Sequence, residues 1–593
     1  MLLKDKIYRL YLRLTKRLPD NQVMGILAIV VGVCAGVGTY IFEMLLYAIH
    51  SGLTSWLPVN ESHYIYLITP AIGIILATLF VRHIVRDEIS EGVMRVLYAM
   101  SSKGSRIAPH NCWSSIVGGA TTIGFGGSVG PEAPIVLTGA AIGSNIGKLA
   151  RLNYRNITLL LCCGAGAAIA SIFKAPITGV VFVLEILMLD ITASSVIPLI
   201  ISSLTATTIA LMLRGFDPII SVSLTAADAF ELSQIPLFIL LGVLCGLMAF
   251  YFTSVNSYIG GFFKRIDKQY LKWIIGGSLL GVLIFIFPPL YGEGYEAFVS
   301  LMHGDTQTLF DNSLFYGLRS IEWVLIIYVA AIMFFKVIAT STTNAAGGVG
   351  GTFAPSLFVG AFTGALVALV CNTCFGWNLS LVSFTLVGMA GVMSGVMNAP
   401  LTSIFLIAEL SNGYDLFIPL MIVSCISFAV AYRFEPDSIY TKQLRMRGEL
   451  LTHNKDQSVF VFLKLEDLME TDFIRIRESF TLGDIVSIIS TGHRNIFPVI
   501  DNFGHLLGVV QLDDMRVDMF KREKWGTRIT EYMIQPPDKI LEKEQIQSVL
   551  PKFDEKNTWM LPVVDKDNRY LGFISKSRIL NAYRQQLVKI SQK

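Results

Sequence analysis

Two nine-residue stretches decide how this sequence is interpreted: "GGSVGPEAP" at residues 126–134 and "GGVGGTFAP" at residues 347–355. Both lie inside long apolar runs, and in both the glycines precede an Ala-Pro pair. They align without a gap at a shift of 354 − 133 = 221 residues, which superimposes three glycines of each stretch. A pattern this unfavourable for a continuous helix, used twice, predicts a shared structural role.

A second pair of motifs follows in the same order. "FKAPITGVVFVLE" (173–185) matches "MNAPLTSIFLIAE" (397–409) at a shift of 397 − 173 = 224, and both end in a glutamate. Two ordered motifs at nearly one shift predict two related halves. Because Glu185 and Glu409 follow the repeat, we interpret them as helix caps or inter-helix ligands rather than proton carriers.

The composition indicates a polytopic membrane protein. Of 593 residues, 53% are hydrophobic and only 15% are charged, too few charges to cover the surface of a soluble chain of this length. Apolar runs of about 20 residues, enough to span a bilayer, recur from about residue 22 to residue 432. The net charge of +3 gives no reason to expect a nucleic-acid partner.

Composition also sets the expected domain boundaries. We predict an N-terminal cytoplasmic helix at 1–21, a transmembrane domain at 22–440, a linker at 441–460 and two soluble units at 461–525 and 526–593. The basic leader predicts cytoplasmic termini under the positive-inside rule. Short loops favour a bacterial inner (plasma) membrane. The cysteines and histidines show no ligand spacing, so no metal is expected.

The soluble tail contains its own repeat. "FPVIDNFGHLLGVVQLDDM" (497–515) resembles "LPVVDKDNRYLGFISKSRI" (561–579) at a shift of 562 − 498 = 64. Each unit is predicted to contain a helix, an apolar strand, a turn, a second strand and another helix.

Glycine and proline at membrane depth have a physical explanation. Backbone polar groups cannot be left bare in lipid, so an irregular loop there must be buried in protein or line a cavity. Proline suits the first turn of a helix, and a helix start carries unpaired N–H groups and partial positive charge. Each stretch therefore predicts a helix start aimed at an anion site. The alternative is tight helix packing through small residues.

These motifs resemble those of the CLC family of chloride channels and proton-coupled chloride antiporters, and the tail resembles a pair of CBS domains. The resemblance rests on "GSVGP" (127–131), "GTFAP" (351–355), the two Ala-Pro…Glu segments and the tail repeat. It implies an all-α polytopic membrane domain with an inverted internal repeat and broken helices, followed by an α+β tandem CBS domain. It also implies a homodimer in the lipid bilayer that transports chloride or other small anions and is not an enzyme.

The resemblance bears on the mechanism where the motifs differ. The family's G-R-E-G-P pattern has a gating glutamate at its centre, and matching it to residues 127–131 puts Val129 there. Antiporters of the family carry an inner glutamate at the position of Ile186. Both carboxylates would then be absent, which favours passive, channel-like conduction. The alternative is a proton-coupled antiporter using a substitute acid, Glu91 or Glu132; Glu132 could equally be a buried acid that accepts backbone N–H groups.

The resemblance further implies a set of anion ligands. Backbone groups are expected from Val129 and Gly130 in the first half, and a hydroxyl from the tyrosine of "SIYTKQL". The segment "ISEGVMRVL" (89–97) matches the family's serine loop imperfectly. Three interpretations of this segment stay open. Ser90 shifts into the position of the family's serine, Glu91 points away from the anion, or Glu91 is itself a protonatable gate. The remaining expected ligands are Gly351, Thr352, Phe353 and Tyr440.

For the tail, the resemblance to CBS domains suggests a site for an adenine nucleotide. Each copy carries only half of the expected ligand pattern, with Asp514 in the first and Ser575 in the second. A dimer scaffold or a degraded sensor is the first interpretation, nucleotide regulation the alternative. No cofactor is expected to be required.

Overall fold

The computed structural model describes most of the chain. The described residues are 18–55, 62–87, 89–90, 92–189, 192–216, 230–411, 413–446, 465–489, 494–542, 544 and 546–591. The chain forms two compact units, Met1–Leu450 and Leu451–Lys593. Most of the predicted N-terminal helix lies outside the described residues, as does the predicted linker beyond residue 446.

The described part of the first unit is helical. Its α-helices are α1 (Asp20–Ser55), α2 (Thr69–Leu79), α3 (Gly92–Ser102), α4 (Ser114–Gly124), α5 (Glu132–Leu149), α6 (Tyr154–Phe173), α7 (Pro176–Glu185), α8 (Ala193–Arg214), α9 (Ile235–Lys264), α10 (Gln269–Ile286), α11 (Tyr295–Met302), α12 (Glu322–Ala346), α13 (Phe353–Phe375), α14 (Leu381–Met397), α15 (Pro400–Leu410), α16 (Phe417–Phe434) and α17 (Ile439–Met446). Helix α17 crosses the boundary predicted at residue 440.

The described part of this unit contains both long helices and helices too short to cross a membrane. Among the described residues, eight helices are long and apolar enough to cross a membrane. Others are too short: α7 has 10 residues and α15 has 11, so at 1.5 Å per residue each covers roughly half of a bilayer core of about 30 Å. Helices α5 and α13 begin inside the two glycine-rich stretches, at Glu132 and Phe353, directly after their glycines. The broken helices predicted from sequence are confirmed.

The two half-length helices cap each other. The Glu185 carboxylate at the end of α7 accepts the N–H groups of Leu401 (3.0 Å) and Thr402 (2.7 Å) and the Thr402 hydroxyl (2.7 Å). The Glu409 carboxylate near the end of α15 accepts the equivalent bonds from the start of α7. Its donors are the N–H groups of Ile177 (2.9 Å) and Thr178 (2.8 Å) and the Thr178 hydroxyl (2.6 Å). The prediction that both glutamates are caps is confirmed.

This reciprocity defines the symmetry of the repeat. Each helix starts where the other ends, so the two run antiparallel. Equivalent residues exchange identical bonds, as required of elements related by a two-fold axis. A two-fold axis that reverses the direction of two helices is perpendicular to them. The two halves of the chain therefore have opposite orientations, which defines an inverted repeat.

The described part of the tail contains two three-stranded sheets. Their orders are β1-β2-β3 and β4-β5-β6, with the first pair parallel and the second antiparallel in each. The elements are α18 (Leu465–Leu468), β1 (Ile476–Arg477), α19 (Leu482–Ile489), β2 (Ile496–Ile500), β3 (Leu506–Gln511), α20 (Leu512–Met515), β4 (Ile540–Leu541), α21 (Ile546–Glu555), β5 (Met560–Val564), β6 (Tyr570–Ser575) and α22 (Lys576–Ser591). Equivalent strands are 64 residues apart, as predicted.

The mutual caps predict matched losses of stability. Glu185→Ala and Glu409→Ala each leave two helix-start N–H groups and a hydroxyl without their charged acceptor. We expect each to lower the free energy of unfolding by about 2 kcal/mol or more, since a hydrogen bond to a charged group contributes roughly 1.5–3 kcal/mol. Thermal unfolding of the purified protein measures this.

The control is Glu322→Ala, at an exposed position in the first turn of α12. A stability equal to wild type in either cap variant would contradict the assignment.

Candidate anion site

The two glycine-rich stretches pair with each other in the middle of the membrane unit. The Gly130 N–H donates to the Gly351 carbonyl at 2.9 Å, and the Gly351 N–H donates to the Gly130 carbonyl at 2.7 Å. The two residues form an isolated antiparallel bridge, and they are equivalent in the repeat because 351 − 130 = 221. Four backbone polar groups are thus satisfied where water is absent, as the lipid environment requires.

Two threonines hold the same loops together. The Ser128 N–H donates to the Thr343 hydroxyl at 3.3 Å, and the Val349 N–H donates to the Thr122 hydroxyl at 3.0 Å. These bonds are again repeat-equivalent, since 343 − 122 = 349 − 128 = 221. Thr343 therefore connects the first loop to α12, the helix that precedes the second loop. Thr122 connects the second loop to α4, the helix that precedes the first loop.

The pairing aims two helix starts at one place. Helix α5 begins at Glu132 and helix α13 begins at Phe353, a difference of 353 − 132 = 221. Each start presents N–H groups with partial positive charge, so an anion between them is stabilised by both halves of the chain. This is the physical basis of the candidate site.

The Glu132 carboxylate lies at these paired helix starts. Glu132 is only 1% exposed. Its carboxylate faces the N–H groups of Glu132 itself and of Ala354 in α13, and Oε1 accepts the Tyr295 hydroxyl at 3.4 Å. Among the described residues, Oε2 has no hydrogen-bond partner of good geometry. The carboxyl group of Glu132 thus lies where the two helix starts would stabilise an anion.

Two glycines make room for that carboxylate. A Cβ on Gly130 would lie 2.1 Å from Glu132 Oε2, and a Cβ on Gly351 would lie 3.0 Å from it. No side chain at Gly130 is compatible with this position of the carboxylate. The close approach to backbone predicted for an anion is therefore made by Glu132.

The structure places Val129 and Ile186 elsewhere. Val129 precedes α5 by three residues and is fully buried; its N–H donates to the Gly127 carbonyl at 2.9 Å, and its side chain packs against Gly350. Ile186 is the C-cap of α7 and is 5% exposed. Glu132, rather than Val129, is the residue whose side chain lies at the paired helix starts.

The second-half ligands predicted from sequence lie on the other side of the site. Thr352 is the N-cap of α13 and Phe353 is its first residue. The Tyr440 hydroxyl on α17 interacts with the Thr352 hydroxyl, and Tyr440 also interacts electrostatically with Glu132. The Phe353 ring packs against the Phe173 ring at 5.5 Å between centroids. These residues and Glu132 are brought together.

The serine loop also reaches the first turn of α5. Ser90 is partly buried and lies just before α3. Gly92 packs so closely on α5 that a Cβ there would be 2.0 Å from the Ala133 carbonyl oxygen. Glu91, the other candidate acid, lies outside the described residues.

The candidate nucleotide residues differ in environment. Asp514 is exposed on α20, whereas the Ser575 hydroxyl at the end of β6 donates to Glu470 Oε1 at 2.8 Å. Glu470 also pairs with Arg494 at 2.9 Å, so the Ser575 hydroxyl is already engaged within the tail. Nucleotide binding by Asp514 and Ser575 stays a prediction.

Sequence reasoning missed two kinds of residue here. Thr122 and Thr343 carry a readable signal, since both fit the repeat shift of 221. Tyr295 carries none, because it reaches Glu132 across 163 residues of chain through an irregular segment.

These observations indicate a membrane protein with a candidate anion site between inverted repeats. Residues 72–432 match the model of the voltage-gated chloride channel family, and residues 465–518 and 529–585 match the CBS domain model. The chain belongs to this family, and its tail is a CBS pair.

Relatives include both putative channels and exchangers. A putative chloride channel protein ClcB-like from Ralstonia nicotianae is 29% identical over 56% of this chain and 74% of its own length. The H(+)/Cl(−) exchange transporter ClcA of Vibrio cholerae is 28% identical over 70% of this chain and 88% of its own length.

Solved structures support the fold. A slow cyanobacterial Cl⁻/H⁺ antiporter superimposes with a TM-score of 0.60 at 23% identity, covering 72% of this chain and 98% of that one. A eukaryotic CLC transporter gives 0.58 at 17% identity, covering 94% and 97%.

The close contact at Gly130 predicts a steric effect on transport. Gly130→Ala places a methyl group on Glu132 Oε2 and forces the carboxylate to move. We expect chloride flux from proteoliposomes to change by roughly tenfold or more, since overpacking costs about 1–3 kcal/mol and 1.4 kcal/mol is a factor of ten.

Gly260→Ala is the matched control, because no atom lies within 4 Å of a Cβ there. Equal flux in the two variants would show that the contact at Gly130 has no part in transport.

Proposed function

We propose that this chain is a proton-coupled chloride exchanger in which Glu132 is the gate. The observation that carries the proposal is the Glu132 carboxylate, which lies buried at the paired helix starts with Oε2 unpartnered among the described residues. A carboxylate held there competes with chloride for the same N–H groups. Chloride passes only when the carboxylate leaves, and protonation removes the charge that holds it.

The repeat gives this assignment independent support. The shift of 221 pairs Glu132 with Phe353, the residue after Thr352 in "GTFAP". In the same register the family's G-R-E-G-P pattern matches Gly130 to Pro134, "GPEAP", with Glu132 on the glutamate. This match retains the first glycine, the glutamate and the final proline of the pattern, with Pro131 in place of the arginine and Ala133 in place of the second glycine. The match to residues 127–131 instead puts the gate position in the loop before α5.

Passive conduction is the second candidate, and Ile186 favours it. A hydrocarbon side chain at that position cannot take up a proton, so the inner part of any proton route must use other groups. The two candidates differ in whether chloride movement drives proton movement.

We further propose that the protein works as a homodimer in the plasma membrane, with one anion pathway per subunit and both termini cytoplasmic. The family resemblance supports the dimer. The basic leader and the basic loop around Lys148, Arg151 and Arg155, at the start of α6, support the orientation under the positive-inside rule.

A flux experiment separates the two candidates. Purified protein in chloride-loaded liposomes, with valinomycin setting the potential, should release chloride and drive protons inward against their gradient. We expect Glu132→Gln to abolish proton movement while chloride efflux continues, because glutamine keeps the shape of the side chain without its titratable group.

Glu322→Gln, an exposed glutamate in the first turn of α12, should leave both fluxes unchanged. Chloride efflux without proton movement by the wild-type protein would establish passive conduction instead.

A further inference from the structure

A cavity with a largely apolar lining and three charged side chains lies close to the anion site but does not include Glu132. Its volume is about 490 Å³. The Arg214 guanidinium and the Glu43 carboxylate form an ion pair at 2.6 Å on its wall. The lining residues used below are Glu43, Pro131, Arg214, Glu293 and Tyr295.

The cavity lies at one end of the membrane unit. Helix α8 ends at Arg214, and the Lys174 ammonium just after α6 donates to the Gly215 carbonyl at 2.9 Å. Helix α6 has 20 residues and is roughly 30 Å long, so the basic loop before it lies at the opposite end. The cavity therefore opens on the side away from that basic loop.

Tyr295 links the cavity to Glu132. It lines the cavity, and its hydroxyl donates to Glu132 Oε1 at 3.4 Å. Glu132 itself is 1% exposed. A hydroxyl that both donates and accepts hydrogen bonds is thus the contact between the buried carboxylate and the cavity.

Glu293 lies two residues before Tyr295 and is the second acid of the cavity. It interacts electrostatically with Glu132, Glu43, Lys336 and Arg214. Glu293 and Tyr295 thus line the same cavity, and Glu293 is close enough to both Tyr295 and Glu132 to interact with them electrostatically. Intramembrane acids of this kind are expensive and are usually retained for function.

Lys336 explains how Glu293 is held. This lysine on α12 is fully buried, and its ammonium donates to the carbonyls of Gly292 (2.9 Å) and Leu290 (3.4 Å). It lies 4.7 Å from the centroid of the Phe358 ring and interacts electrostatically with Glu293. A buried ammonium is costly unless it is compensated, so Lys336 fixes the loop that carries Glu293.

We propose that Glu293 and Tyr295 form the proton route between this cavity and Glu132. This inference rests on the proposed exchange function and deepens it. Glu293 takes a proton from the cavity. The Tyr295 oxygen accepts a proton from the Glu293 side as its own hydroxyl proton passes to Glu132 Oε1, so the tyrosine is neutral before and after. Lys336 is a positioning residue.

The test measures chloride and proton fluxes of the full-length protein in liposomes. Glu293→Gln and Tyr295→Phe should keep chloride efflux and lower coupled proton movement by at least about tenfold, since positioned proton-transfer groups contribute roughly 10²–10⁴ in rate. Glu296→Gln is the matched control, because Glu296 is an exposed glutamate in the same helical turn and should leave both fluxes unchanged.

The outcomes separate the route from the function on which it rests. A wild-type protein that moves no protons overturns the proposed exchange itself. A wild-type protein that moves protons, with Glu293→Gln and Tyr295→Phe equal to Glu296→Gln, overturns only the route.

A double variant tests whether the role of Glu293 is purely structural. Lys336→Met combined with Glu293→Gln removes both charges, so charge compensation is no longer needed even if Glu293→Gln alone fails to fold. We expect this variant to conduct chloride without coupled protons. Recovery of wild-type proton movement in the double variant would show that Glu293 serves only to neutralise Lys336.

Discussion

The pair of hydrogen bonds between Gly130 and Gly351 is the constraint on which the site depends. It closes two irregular loops against each other where lipid supplies no hydrogen-bond partners. Because the bonded residues are equivalent in the repeat, one bridge satisfies both loops. It also fixes where α5 and α13 begin, and so directs two sets of free N–H groups at the same volume. Without it, each half would need its own means of ending a helix inside the bilayer.

Three glutamates meet helix starts in the described part of this fold, and their environments differ. Glu185 and Glu409 each accept two N–H groups and a hydroxyl from the opposite half, all at 3.0 Å or less. Such saturated carboxylates are well suited to holding two helices together. The Glu132 carboxylate faces the N–H groups of Glu132 and Ala354, but its hydroxyl partner lies at 3.4 Å and Oε2 has no hydrogen-bond partner of good geometry among the described residues. A carboxylate held less firmly is better suited to leave its place.

Much of this arrangement could be predicted from sequence, because an internal repeat leaves a measurable shift. The broken helices, and the role of Glu185 and Glu409 as caps or inter-helix ligands, followed from aligning the chain with itself, whereas the reciprocity of the two caps is seen only in the structure. The same shift pairs Glu132 with Phe353, but the "GSVGP" match, which shares Gly130 and Pro131 with "GPEAP", directed attention to Val129. Tyr295 and Lys336 could not be found this way, because they act across irregular segments whose path depends on packing of the whole unit.

The central claim is that the Glu132 carboxylate and chloride compete for the same helix starts, and proton uptake on chloride binding tests it most directly. Chloride is added to purified protein in weakly buffered detergent solution while pH is recorded. If chloride displaces the carboxylate, the displaced group binds protons more readily, and the wild-type protein takes up protons while Glu132→Gln does not. Equal proton uptake by the two proteins, or chloride binding to the wild type without proton uptake, would contradict the account.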